Sequence, residues 1–65
     1  MIQVLISYKN KSTDRTAVKN AEVASKYIDA IITIYKHDDL IDDVEKIEMI
    51  DSITRESKIV YPKVN

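Results

Sequence analysis

One stretch of this chain, Thr16 to Tyr35, obeys two incompatible periodicities, and the way it divides sets the fold. Ala17, Ala21, Ala24, Ile28, Ile31, Ile32 and Tyr35 fall on one helical face at ~100° per residue. Val23 and Ala30 stray far from that stripe. Yet Ile31-Ile32-Thr33-Ile34-Tyr35 is almost wholly β-branched or aromatic. Such side chains lose rotamer freedom in a helix and pack well on a pleated sheet.

The rest of the chain arbitrates. Ile2, Val4, Ile6 and Tyr8 alternate with Gln3, Leu5 and Ser7, which predicts a strand over 2–8. A strand cannot stand alone, because its amides and carbonyls need partners. The best partner by chemistry is Ile31–Lys36. A helix is therefore expected from Asp14 or Arg15, capped out of the polar Lys9–Asp14 segment, to Ile28 or Asp29. A second strand then starts at about Ala30. Val44–Ile50 and Lys58–Tyr61 read as two further strands, with Ser52–Ser57 as the connection and Pro62 ending an edge.

The expected architecture is α+β in the order β-α-β-β-β, a small mixed sheet with one amphipathic helix on one face. A right-handed crossover would make the first two strands parallel. The alternative is a continuous helix to Lys36 in a mostly α fold with one N-terminal strand. One helix leaves a sheet face uncovered, and Leu5, Ile32 or Ile34, Ile50 and Val60 are expected there. Residues 1–65 form a single small domain, with 62–65 as a frayed tail.

Sixty-five residues lie near the lower limit for an unaided core. Burial gain and an ordering cost of roughly 1.5 kcal/mol per residue nearly cancel at this size. The chain has no cysteine, so no disulfide or thiolate metal site can help. A partner, or a second copy forming a homodimer, is therefore expected. There is no glycine either, so left-handed turn positions should fall to Asn or Asp. Glycine-dependent phosphate cradles are excluded with it. Apolar runs fall far short of the ~20 residues that span a bilayer, and no signal peptide is legible. A soluble, cytoplasmic protein is the expectation. Eleven Ile and eight Lys against two Arg suggest an AT-rich genome, such as that of a low-GC bacterium or its phage.

Chemistry is sparse. His37, the only histidine, could act as a base oriented by Asp38 or Asp39, but no nucleophile or oxyanion site accompanies it. An exposed loop histidine is the plainer reading, and the chain is read as no enzyme. The acids Asp38, Asp39, Asp42 and Asp43 come as adjacent pairs around Leu40-Ile41, a spacing that matches no calcium loop. No metal or cofactor is expected.

Charge distribution says more. Residues 1–36 carry six Lys or Arg against three acids, and residues 37–51 carry seven acids against Lys46. Residues 52–65 carry three basic residues against Glu56. The net charge of −1 thus hides an acidic band between two basic segments. This pattern predicts a non-enzymatic protein–protein interaction module. It would dock an acidic face, Asp38, Asp39, Asp42, Asp43, Glu45 and Glu48, on a basic surface of a partner protein, as a small phage or mobile-element accessory or inhibitor protein would. The alternative is a weak nucleic-acid-binding domain using Tyr8, Lys9, Lys11, Arg15 and Lys19. Against it, the chain is slightly acidic where a dedicated binder should be basic. Core packing is the plainer role for Tyr8, Tyr27, Tyr35 and Tyr61.

Overall fold

Strand β1, Ile2–Tyr8, sits in the middle of a computed structural model that describes residues 1–62. It turns through Lys9–Ser12 into β2, Thr13–Val18, and the chain then enters α1, Ala21–His37. A short 3-10 turn, Ile41–Asp43, leads into β3, Val44–Asp51, and β4 is Ser57–Tyr61. The four strands form one sheet in the order β2-β1-β3-β4. Every pairing is antiparallel. The fold is α+β, one helix on one face of a four-stranded sheet.

The helix and the second strand exchange places relative to the sequence-based expectation. Ala30–Lys36 is helix, not strand, and Thr13–Val18 is strand, not the first turns of the helix. The strand expected from Ile31–Lys36 is thus supplied by β2. Because β2 joins through a hairpin, no crossover is needed and the sheet is not mixed. The mostly α alternative fails on the same four strands.

Two local facts decide the exchange. Asn20 caps α1, its Oδ1 accepting the Val23 N–H at 3.0 Å, so the helix starts six residues late. And the isoleucines keep a helical stripe. Ile28 is buried, Ile31, Ile32 and Tyr35 pack against the core, and Ile34 faces outward. Burying that stripe outweighs the β-branched penalty, under about 0.7 kcal/mol per residue. Thr33 further satisfies its hydroxyl by donating to the Asp29 carbonyl at 2.8 Å.

The core is Val4, Ile6, Ala24, Ile28, Val44 and Ile47. Strand parity puts Val4 and Ile6 beneath the helix and Gln3, Leu5 and Ser7 on the opposite face. Ala24 is wholly buried; its small side chain lets the helix lie close to the sheet. All four tyrosines are spent on or beside this core, as their spacing predicts. Leu5 and Ile50 lie on the uncovered face as expected, joined by Ile59 in place of Val60, which packs inward. Ile32 also packs inward.

With no glycine in the chain, three of the described residues take left-handed backbone, and one of the three is the expected type. Asp39 (φ 58°) follows the helix, where Leu40 N–H returns to the Tyr35 carbonyl at 2.8 Å. Lys11 (φ 76°) closes the β1–β2 hairpin and Arg55 (φ 64°) the β3–β4 hairpin. The tail reading falls partly on residues 63–65, which lie outside the described residues.

Candidate interaction surface

Antiparallel winding sorts the loops to two ends of the molecule. One end carries the Lys9–Ser12 hairpin, the C-terminus of α1 and the Asp38–Asp43 segment. The other carries Met1, Lys19, Asn20 and the Ser52–Glu56 turn. The acidic loop and the basic hairpin, separated in sequence by β2 and α1, therefore adjoin. Lys9 N–H donates to the Asp43 carbonyl at 2.9 Å. Tyr8, Lys9, Asn10, Ser12 and Asp43 line an open depression of about 580 Å³ between them.

Backbone geometry holds the acids outward. Asp38 and Asp39 terminate the helix, where its carbonyl end already favours cations. Asp42 and Asp43 occupy the 3-10 turn, which buries no side chain of its own. Glu45 stands at the irregularity where β3 leaves register with β1, between the partners of Ser7 and Tyr8. Asp38, Asp39, Asp42, Asp43 and Glu45 are all exposed. Among the described residues none of the five makes an ion pair with a lysine or arginine. Asp38 faces only His37, Oδ1 to Nδ1 at 3.2 Å, and that imidazole is itself exposed.

Glu48 does not join this group. Strand parity places it on the uncovered sheet face, opposite Leu5 and Ile59. Its carboxylate is 3.2 Å from Lys46 Nζ, and its side chain is only 15% exposed.

The basic set is dispersed. Lys9 and Lys11 lie in the hairpin, Arg15 on the uncovered face opposite Leu5, and Lys19 at the far end. Tyr8 is occupied elsewhere, its hydroxyl bonded to Asp14 at 2.9 Å and to Tyr35 at 2.8 Å. Burial, then those two bonds, hold that phenol protonated well above its ordinary range.

Two features were not legible in the sequence. The hydroxyl seam of Tyr8, Tyr35 and Asp14, with Thr16 and Tyr27 at 3.3 Å, joins α1 to β2. A second depression, about 350 Å³, lies between α1 and β4, lined by Asp29, Ile32, Lys36, Val60 and Tyr61. Among the described residues no three His, Asp or Glu side chains converge as a metal-holding group, and no helix is long and apolar enough to cross a membrane. Compared with known proteins, the chain matches no family model, no curated protein and no solved structure.

Proposed function

We propose that this chain is a non-enzymatic protein-interaction module that sets its acidic end against a basic surface of another protein. One observation carries the reading: five exposed carboxylates, Asp38, Asp39, Asp42, Asp43 and Glu45, gather at one end with no lysine or arginine partner among the described residues. Surface acids left unpaired beside a helix C-terminus repel one another and that terminus. A basic partner removes the repulsion and gains steering from it. Glu48 takes no part in this docking.

Capture from a low-GC bacterial lysate on the immobilised chain tests the reading. A bound protein should be lost when Asp38, Asp39, Asp42 and Asp43 are all changed to Asn, and should elute as salt rises. Equal capture by the Asn variant would overturn it. A parallel oligonucleotide titration over a salt series addresses the nucleic-acid alternative. Affinity that falls steeply with salt and disappears with Lys9→Ala and Lys11→Ala would place that activity ahead.

A further inference from the structure

The face of the sheet turned away from α1 has an unusual internal order. Read across the strands β2, β1 and β3, it carries three rows, Ala17-Gln3-Ile50, Arg15-Leu5-Glu48 and Thr13-Ser7-Lys46, and β4 adds Ser57 beside Ile50 and Ile59 beside Glu48 at the edge. Each row has a residue of opposite character on either side of β1. A small side chain stands across from a large one in the first and third, and a cation across from an anion in the second. Among the described residues no helix or loop covers these rows, for α1 packs on the other face.

We propose that this face is the contact surface of a homodimer, two sheets packed face to face about a two-fold axis running along β1 above Leu5. Such an axis carries the β2 side of one copy over the β3 side of the other. Arg15 then meets Glu48 of the second copy, twice, and Ile50 covers Ala17. Lys46 extends over Thr13, and Leu5 meets Leu5 on the axis. A surface that is complementary to itself under a two-fold is what an isologous dimer requires. Aligned sheets pack about 10 Å apart, a gap that side chains of these sizes fill.

The charges argue for the second copy over any other occupant. Arg15 has no ion pair among the described residues. Glu48 is already largely removed from water at 15% exposure, with Lys46 as its one cation. An apolar partner would strand Arg15 without a counter-charge, at a desolvation penalty it could not recover. A basic partner would leave Arg15 repelled, and an acidic one Glu48. Only a face bearing both, in reversed order, satisfies both. The dimer also buries what remains exposed of Leu5 and Ile50, apolar area that a 65-residue domain otherwise leaves partly wet. The acidic end lies off this face, so the proposal stands or falls independently of the docking reading above.

Light scattering of the full chain is expected to give twice its 7.5 kDa. Arg15→Glu sets acid against acid at both ends of the middle row, and Glu48→Arg sets base against base. Each alone should weaken self-association at least about tenfold, while an equimolar mixture of the two should dimerise again. Circular dichroism establishes that each variant is folded. The wild-type chain supplies a second reading in a mixed sample of labelled and unlabelled protein. Ile50 and Ala17 lie two strands apart within one copy, ~10 Å, so an intermolecular methyl contact between them reports the dimer alone. A wild-type chain that stays at 7.5 kDa at roughly millimolar concentration overturns the proposal. So does a dimer without the Ile50–Ala17 contact, or one in which folded single swaps change nothing.

Discussion

The hydroxyls of Tyr8 on β1 and Tyr35 in the last turn of α1 stand 2.8 Å apart, with their rings tilted at 40° and centroids at 6.5 Å. Asp14 on β2 completes the group, and its carboxylate fixes the direction of the bonds. A carboxylate can only accept, so Tyr8 donates to Asp14 and Tyr35 donates to Tyr8. Three successive elements, β1, β2 and α1, are joined through one phenol.

That phenol makes stability depend on alkaline pH. The folded state raises the Tyr8 pKa well above its ordinary 10.0, by burial first and then by the bonds to Tyr35 and Asp14. The sign follows from linkage. Above pH 10 the unfolded chain releases the proton while the folded chain still holds it, so stability falls as pH rises. Tyr8→Phe should cost about 1 kcal/mol at neutral pH and flatten the decline above pH 10. Urea titrations at a series of pH values measure both. An unchanged slope would show that another group sets it.

Three left-handed residues offer a gain in stability. Lys11, Asp39 and Arg55 hold positive φ where a Cβ is strained, and the chain has no glycine to relieve it. Lys11→Gly and Arg55→Gly should each stabilise by about 1 kcal/mol, the strain removed less the entropy a glycine loses on folding. Asp39→Gly should gain less, since Asp tolerates this backbone better. In a domain of this size 1 kcal/mol moves the melting temperature by about 4–8 °C, so calorimetry resolves each variant. Lys11 and Arg55 lie at opposite ends of the sheet, so the gains at these two sites should add.

Strands β1, β3 and β4 were legible nearly residue for residue because each carries its own signal. Alternation marks Ile2–Tyr8, β-branched and apolar residues mark Val44–Asp51, and Pro62 stops Ser57–Tyr61. Strand β2 carries almost none. It is an edge strand in which, of the helix-facing side chains Asp14, Thr16 and Val18, the first two bond to tyrosine hydroxyls and Val18 alone packs against the core. Without an apolar alternation, Ala17 was absorbed into the helical stripe that follows it. The stripe itself was real, and the one local clue to its start was Asn20 three residues before Val23. At the candidate site, composition revealed the acids of the Asp38–Glu45 segment. It could not reveal that Glu48 lies on the uncovered face, because that follows from register with Leu5.

The N-cap gives that boundary a measurable consequence. Asn20→Ala removes the acceptor for Val23 N–H and should destabilise by about 1 kcal/mol, while Asn20→Asp should be close to neutral. Amide exchange should quicken first at Val23 and Ala24. A helix starting at Arg15 would put Asn20 in its interior, where Asn20→Ala should stabilise instead.

At the same end of the molecule, Asp51 builds the β3–β4 turn by accepting Ile53 N–H at 2.8 Å and Thr54 N–H at 3.1 Å on one oxygen. Those two bonds favour the charged form and lower its pKa below the ordinary 3.8. The depressed value means that its contribution is present above pH 3.8 and is lost as pH falls through the folded-state value. Asp51→Asn keeps an acceptor but cannot titrate, so its stability should change less between pH 5 and pH 2, roughly the span over which a depressed carboxylate acts. Asp51→Ala should loosen the turn at every pH, seen as faster exchange of the Ile53 and Thr54 amides.

The smallness of the core sets the last expectation. Ile47 is completely buried on β3, beside Ile6 on β1 and under a helix whose contact point is the buried Ala24. Ile47→Val removes one methylene and should cost about 1 kcal/mol; Ile47→Ala should cost 2–5, roughly the whole stability available to a domain of this length. Ile47→Ala is therefore expected to be largely unfolded at 37 °C by circular dichroism, whereas Ile47→Val melts cooperatively a few degrees lower than wild type. Ala24→Leu fails for the opposite reason. Its added volume would push α1 off the sheet at about 1–3 kcal/mol, and in doing so would separate Tyr35 from Tyr8. The alkaline sensitivity carried by Tyr8 should then shrink together with the loss of stability. If Ala24→Leu lowered stability but left that sensitivity intact, helix packing and the hydroxyl seam would be independent of one another.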